Sequence, residues 1–278
     1  MLFIINPISG KGKKRKIAQR LQSKGYKVVF TEYAGHAEKL AREASEETVV
    51  AVGGDGTVNE VARGLVGTGK RLGIIPCGSG DGLARHLGLS HNIDKAIKTI
   101  EAGKCRQMDA AQVNGRLFFS VCGVGFDAVV SERFANSGKR GLANYIRQGL
   151  KTWRTYLPEN YTIVIDGVSI RTDALFITVG NSDQWGNGAR ITPLADCCDG
   201  ILDVTIVDRF GALELPWLAS RLMTGSVHKS RRVHCYKGKH IQIIRQGEGP
   251  AHADGDWFIT SGVLDINILP SALKVLTR

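Results

Sequence analysis

The chain has 278 residues, 43% hydrophobic and 23% charged, a balance that excludes a disordered protein and leaves ample material for a core. It has no run of ~18 apolar residues, so no membrane-spanning helix is expected, and it enters a strand at Leu2 without the basic lead-in of a signal peptide. Its 37 lysines and arginines against 26 acids give a net charge of +11, which points to an anionic partner such as nucleic acid, lipid headgroups or a nucleotide.

Strand and helix alternate through the first part of the chain. A strand at Leu2–Asn6 leads through Pro7-Ile8-Ser9-Gly10 into a basic helix over Lys13–Lys24. A strand at Tyr26–Phe30 precedes a helix over His36–Glu46. The β-branched run Thr48–Val52 then precedes the turn Gly53-Gly54-Asp55-Gly56-Thr57 and a helix over Val58–Leu65. A strand at Leu72–Ile75 opens into the small-residue loop Pro76-Cys77-Gly78-Ser79-Gly80-Asp81-Gly82, followed by helices over Leu83–Leu87 and Asp94–Ala102. Short β-branched runs between helices predict an open parallel sheet covered on both faces, with ligands at the carboxyl ends of its strands. All three polar loops fall there.

Beyond about residue 103 the rhythm changes. Segments 108–113, 116–122, 161–166, 169–179, 201–207, 231–236, 239–245 and 263–269 read as strands, with helices over Asp127–Phe134, Leu142–Tyr156 and Leu213–Met223. This pattern predicts a mostly antiparallel β-sandwich or half-open barrel. Two domains are expected: residues 1–103, with 271–278 returning to them, and 104–270. The six cysteines lack paired CxxC spacing, so reduced thiols in a cytosolic protein are expected, with vicinal Cys197-Cys198 the one arrangement that could be redox-active. Many cations lie at Lys11 to Lys16 with Arg20, and at Arg231-Arg232 through Lys237, Lys239 and His240. Neither cluster forms a nucleic-acid module, so no nucleic-acid partner is expected. A solvated face and attraction to an anionic membrane surface are the two readings.

The stretch Val52–Glu60 carries the chemistry. Its three glycines allow φ > 0 and close approach of a ligand to the backbone. The following helix aims its free N–H groups and positive dipole end into the same space. That favours an anion, a nucleotide phosphate above all; a tight strand-to-helix turn capped by Asp55 or Thr57 is the structural alternative. A Walker A loop is absent, and Gly123-Val124-Gly125-Phe126-Asp127 starts like a dinucleotide fingerprint but lacks its third glycine.

Taken together, Asn6-Pro7-Ile8-Ser9-Gly10, the Gly53–Glu60 turn and the loop from Pro76 to Arg85 resemble the nucleotide-binding loops of the diacylglycerol kinase catalytic-domain family. That family includes bacterial lipid kinases, sphingosine kinases and ceramide kinases. The likeness continues through Thr31, Gly123–Asp127 and Asp196-Cys197-Cys198-Asp199-Gly200-Ile201-Leu202-Asp203 to Asp254-Gly255-Asp256, and so spans nearly the whole chain. It implies an α/β N-terminal domain with a parallel sheet and a mostly antiparallel β-sandwich C-terminal domain for the acceptor. The implied reaction moves the γ-phosphoryl of ATP, with Mg²⁺, to a hydroxyl of a lipid such as diacylglycerol or a sphingoid base.

The resemblance also implies roles. Asn6, Ser9, Gly10 and Thr31 would hold ATP, and Gly53, Gly54, Asp55, Gly56, Thr57 and Asn59 would wrap its phosphates. Asp55 would serve the metal–phosphate cluster, Glu60 would anchor the helix start, and Ser79 would add a hydroxyl donor. Asp196, Asp199 and Ile201 would form the Mg²⁺ site, a set of hard oxygens. Asp127 would hydrogen-bond the lipid headgroup. Asp254, or Asp256 as second choice, would take the proton from the acceptor hydroxyl.

Two positions depart from the family pattern: Asp81 stands where an Asn is usual, and Asp256 where a Glu is usual. They leave open a catalytically silent lipid- or nucleotide-binding protein, and the glycine turn alone also fits a relative of the NAD kinases. The lipid kinase reading places the protein in the cytoplasm, peripherally at the inner membrane surface, and is compatible with a homo-oligomer. The helix over Leu213–Met223, with Trp217, reads either as core-facing or as part of an acyl slot or bilayer contact.

Overall fold

Buried β-branched runs set the strands of the first half. The computed structural model describes residues 1–8, 14–138 and 142–278. In it β1 (Leu2–Ile5), α1 (Lys14–Ser23), β2 (Lys27–Phe30), α2 (His36–Glu43), β3 (Thr48–Gly53), α3 (Asp55–Leu65), β4 (Arg71–Pro76), α4 (Gly82–His86) and α5 (Ile93–Ala102) alternate, and β5 (Cys105–Val113) follows. The strands are parallel in the order β2-β1-β3-β4, and the last residues of β16 (Val263–Leu276) add beside β4, Lys274 opposite Arg71. Every residue of β1 and β3 is buried, as strands covered on both faces require. Ile17, Ala18 and Leu21 of α1 pack with Phe3, Ile5, Val50, Val52 and with Ile97 and Ile100 of α5. The strand order reverses at β1, with β2 on one side and β3 on the other, which opens a crevice at the carboxyl ends of β1 and β3.

Met1–Ala110 and Pro270–Arg278 make up this first unit. Its boundary falls later than residue 103 because Gly103 only ends α5, at φ +71°, and the chain passes straight on into β5. The helix after the glycine turn starts at Asp55, earlier than Val58, because extended Gly54 already serves as its cap residue. Ser9, Gly10 and the cations Lys11 and Lys13 lie outside the described residues.

The second unit, Ala111–Leu269, holds β6 (Arg116–Phe118), β7 (Val121–Gly125), α6 (Phe126–Asn136), α7 (Leu142–Thr155), β8 (Glu159–Ile165), β9 (Val168–Ala174) and β10 (Phe176–Gly180). After these come β11 (Leu202–Val207), α8 (Leu215–Thr224), β12 (Val233–Gly238), β13 (His240–Arg245), β14 (Gly249–Ala253), β15 (Asp256–Thr260) and the first part of β16. One antiparallel sheet has the order β12-β11-β10-β7-β14-β15, and β9, β8, β13 and β16 pair antiparallel in a second. Val124, Ile177, Val204 and Phe258 of the first sheet meet Ile163, Ile243 and Ile266 of the second in one core, so the unit is a β-sandwich. On the other face of the six-stranded sheet, Val121, Phe176 and Val207 pack with Trp153 of α7 and Leu218 of α8.

The single strand expected over 169–179 is two: β9 and β10 belong to different sheets, and the chain changes sheet at Leu175. The run 116–122 is likewise broken at Phe119-Ser120. The strand segments read from the sequence leave out both arms of the hairpin β14–β15, in which Pro250 stands opposite Ile259. Its turn, Asp254 at φ +51° and Gly255 at φ +88°, is of the type that suits a two-residue hairpin loop. All six cysteines are free thiols. Among the described residues no helix is long and apolar enough to cross a membrane.

Candidate functional site

β3 ends on Gly53, where a Cβ would lie 2.4 Å from Thr57 Oγ1, so the glycine lets buried Thr57 fold over the strand end. Gly54 is extended (φ −92°), and α3 begins at Asp55 with no side chain capping its first turn. Such an end presents unsatisfied N–H groups and a positive dipole to an anion. A Cβ on Gly56 would meet nothing within 4 Å, so open space stands at the helix end.

Neighbouring loops converge on the same strand ends. The Asn6 amide donates to Val52 O (3.4 Å), and Asn6 Oδ1 accepts the Ile8 amide (3.0 Å). The Thr31 amide donates to Ile5 O (2.9 Å). Lys14 is buried and its Nζ donates to Val52 O (2.9 Å); burial pulls its ammonium below the ordinary value, against the influence of Cys77 and Asp81.

The loop after β4 is laid against the glycine turn. The Cys77 amide donates to Gly53 O (2.8 Å). A Cβ on Gly78 would stand 2.7 Å from Gly54 Cα, so the two backbones touch directly. Asp55 bridges them: its Oδ2 accepts the Asp81 amide (2.9 Å) and its Oδ1 the Gly82 amide (2.7 Å). Asp81, at φ +47°, precedes α4; its Oδ1 accepts the Gly78 amide (3.0 Å) and its Oδ2 lies 3.2 Å from His91 Nε2. Burial pushes both carboxyls up, and Asp55 pushes Asp81 further. Two acids in one knot, Asp81 buried and Asp55 half-buried, favour a cation or a proton beside them.

The remaining predicted residues divide. Ser79 is exposed on the same loop, and Asn59 is buried in α3. Glu60 Oε2 accepts the Ala37 amide (3.1 Å), so it anchors the start of α2 rather than of its own helix.

In the second unit the Asp196–Asp199 turn folds on itself. Asp196 Oδ1 accepts the Cys198 amide (3.1 Å) and Asp199 Oδ1 accepts the Ile201 amide (3.0 Å). Both carboxylates are exposed hard-oxygen donors, a set that suits Mg²⁺ with several waters kept. Lys237 Nζ stands 3.6 Å from Asp199 Oδ2 and 3.0 Å from Asp203 Oδ2, a cation already at the site. Burial opposes that ammonium, but Asp203 and Asp199 hold it above its ordinary value.

Asp254 sits on the hairpin turn, where its Oδ2 accepts the Phe119 amide (2.7 Å) and its Oδ1 those of Ser120 (2.8 Å) and Val121 (3.0 Å). These three donors fix the carboxylate in one orientation at the break between β6 and β7. Asp256 is exposed at the start of β15. Asp127 is turned inward and buried: its Oδ2 accepts the Thr178 hydroxyl (3.1 Å) and faces His252 Nε2 (3.0 Å), and its Oδ1 accepts the Ala128 amide (2.8 Å). Sequence reasoning missed His252, Thr178, His91 and the roles of Lys14 and Lys237. Only the register that sets His252 opposite Gly123 brings the first two to Asp127.

Residues 1–113 match the family model described as the diacylglycerol kinase catalytic domain, and residues 120–277 that of the YegS C-terminal NAD kinase beta sandwich-like domain. A diacylglycerol kinase from Mycobacterium tuberculosis (strain CDC 1551 / Oshkosh) is 30% identical over 294 residues, covering 98% of this chain and 93% of that one. The probable lipid kinase YegS of Salmonella heidelberg (strain SL476) is 34% identical over 189 residues, 66% of this chain and 62% of that one. A crystal structure from Bacillus anthracis str. Sterne aligns with all of this chain and 94% of its own at TM-score 0.82 and 25% identity. A second, of a diacylglycerol kinase from the same strain, does so over 96% of its own chain at TM-score 0.77 and 22% identity, a likeness of fold.

Proposed function

The chain belongs to the diacylglycerol kinase catalytic-domain family, and from that premise we propose an ATP- and Mg²⁺-dependent kinase acting on a lipid such as diacylglycerol or a sphingoid base. Membership makes it a lipid kinase, a phosphotransferase with an alcohol acceptor. The observation that carries the nucleotide side is the uncapped start of α3 at Gly54-Asp55-Gly56, held against the Gly78–Gly82 loop by Asp55.

Phosphoryl transfer needs positioning, charge neutralisation and one base, with little covalent work by the protein. The α3 amides and the loops at Asn6, Ser9, Gly10, Thr31 and Ser79 bind and orient the triphosphate. Asp55 holds the loops that surround it. Asp196, Asp199 and the Ile201 main chain would hold Mg²⁺, which when bound offsets the charge of the phosphates. Asp254, fixed by three amides, receives the proton of the acceptor hydroxyl.

The test is incubation with γ-labelled ATP, Mg²⁺ and a total lipid extract. A labelled, organic-soluble product is expected, and its identity names the acceptor. Asp81, an acid beside the phosphate site, favours a second reading, a nucleotide-binding protein without turnover. ATP binding with no labelled lipid across the extract would select it.

A further inference from the structure

Between Asp196 and Asp199 stand Cys197 and Cys198, the one adjacent pair among the six cysteines of this chain. Thiols are soft ligands, so neither adds a donor that Mg²⁺ prefers, and phosphoryl transfer gives them no task. Cys197 is 1% exposed and Cys198 is half-buried, with their sulfurs 3.7 Å apart. A reagent in solution can reach Cys198, and Cys197 can reach Cys198.

The turn around the pair is held by bonds from its own peptide units. The Cys198 amide donates to Asp196 Oδ1 (3.1 Å), the Asp199 amide to Asp196 O (3.3 Å) and the Ile201 amide to Asp199 Oδ1 (3.0 Å). The peptide unit between the two cysteines therefore orients one carboxylate of the candidate Mg²⁺ site. A disulfide between these neighbours would close a small ring through that same peptide unit. Their Cα atoms are ~3.8 Å apart across a trans peptide, short of the ~4.4–6.8 Å that disulfides usually span. The ring closes only if the peptide unit twists, and twisting takes the Cys198 N–H away from Asp196 Oδ1.

We propose that Cys197 and Cys198 are a redox modification site, a vicinal dithiol oxidised by low-molecular-weight disulfides, and that its oxidation slackens the Asp196–Asp199 turn. In the first exchange the Cys198 sulfur attacks the reagent disulfide. A bond from Cys198 to one reagent sulfur forms, the reagent's own S–S bond breaks, and one reagent thiol leaves with the Cys198 proton. In the second, the Cys197 sulfur attacks the Cys198 sulfur of this mixed disulfide, and the second reagent thiol leaves with the Cys197 proton. Two protein thiols are oxidised and one reagent disulfide is reduced to two thiols. A strained ring of this kind is easily reduced, so an excess of thiol reverses the change. The modification stands on the thiol geometry; only its effect on metal binding rests on the Mg²⁺ reading of the turn.

The test treats the full chain with oxidised glutathione and maps its disulfides by mass spectrometry of unreduced peptides. Amide hydrogen exchange over 196–201 and titration with Mn²⁺ follow on the same samples. A bond joining Cys197 to Cys198 is expected, undone by dithiothreitol, with faster exchange over 196–201 in the oxidised, metal-free chain. Mn²⁺ affinity should fall roughly tenfold or more on oxidation, the scale of losing a group that orients a metal ligand. Cys198→Ser keeps the main-chain N–H, so it should bind Mn²⁺ like the reduced wild type and ignore oxidised glutathione in both measurements. The proposal is overturned if no bond joins the two cysteines, or if Cys198 stops at the mixed disulfide. A mapped disulfide with unchanged exchange, Mn²⁺ affinity that survives oxidation, or a Cys198→Ser chain that responds like wild type overturns it as well. A reduced chain that binds no Mn²⁺, while the disulfide still forms and speeds exchange, would sink the Mg²⁺ reading of the turn and leave the dithiol site standing.

Discussion

The main-chain N–H of Asp81 donates to the Asp55 carboxylate at 2.9 Å, so the residue that starts α3 also holds the loop after β4. The Gly82 amide takes the other oxygen at 2.7 Å. Asp55→Asn replaces one acceptor oxygen with an NH₂ that faces an N–H. The variant should lose about 1–3 kcal/mol of stability, the cost of a buried donor left unsatisfied, and should lose phosphoryl transfer. Thermal unfolding and a labelled-ATP assay on the same sample check both.

Asp81 shares that buried knot, and both carboxyls lie above their ordinary values, burial being the first cause in each. An acid whose folded pKa is raised keeps its proton longer in the folded chain. Its contribution to stability therefore falls as pH rises from about 4 through the folded value, then stays level. Asp81→Asn keeps an oxygen for the Gly78 amide and removes the charge beside Asp55. It should be about 1 kcal/mol more stable than wild type at neutral pH, with the difference gone below about pH 4. ATP affinity should rise as well, since a negative charge near the phosphates is removed. Lower stability at neutral pH would mean that the attraction of His91 and Arg85 for Asp81 outweighs burial and Asp55.

What could be read beforehand follows from how local each signal is. The loops at Asn6, Gly53 and Cys77 stand out because glycine and polar residues interrupt runs such as Thr48–Val52 that are otherwise apolar and β-branched. The bond between Asp55 and Asp81 spans 26 positions, and no pattern within either loop announces it. Asp127 is expected to face a headgroup because Gly125-Phe126-Asp127 resembles the family's acceptor-recognition segment. Its inward turn was hidden, because it depends on His252, 125 positions away, arriving through the pairing of β14 with β7. The sheet change at Leu175 is similarly silent: 169–179 contains no glycine or proline to mark a break, so it reads as one strand until tertiary pairing divides it.

Two glycines separate structural from ligand-facing roles. Gly78→Ala would put a Cβ 2.7 Å from Gly54 Cα and 2.6 Å from Asp81 Oδ1, and the backbone contact has no side chain to yield. A cost of about 1–3 kcal/mol is expected, as for other forced overpacking. Gly56→Ala meets nothing within 4 Å, and alanine is favoured over glycine in a helix by up to about 1 kcal/mol. That variant should be at least as stable as wild type yet bind ATP more weakly, because its methyl stands where a phosphate approaches the backbone. Undiminished ATP affinity in Gly56→Ala would count against the phosphate site.

Asp254 and Asp256 can be told apart by measuring stability and turnover together. Asp254→Asn keeps one oxygen for the Ser120 and Val121 amides but turns an NH₂ toward the Phe119 amide, now 2.7 Å from Oδ2. It should cost about 1–3 kcal/mol and, if Asp254 receives the acceptor proton, lower kcat by about 10²-fold or more. The KM for ATP should hold, since the glycine turn belongs to the other unit. Asp256→Asn changes an exposed residue and should alter stability by no more than about 0.5 kcal/mol. With Asp254 as the base, Asp256→Asn retains most of its turnover; with Asp256 as the base, kcat collapses in Asp256→Asn at unchanged stability. An Asp254→Asn protein that is folded at the assay temperature and still turns over would leave Asp254 only the task of holding residues 119–121 in place.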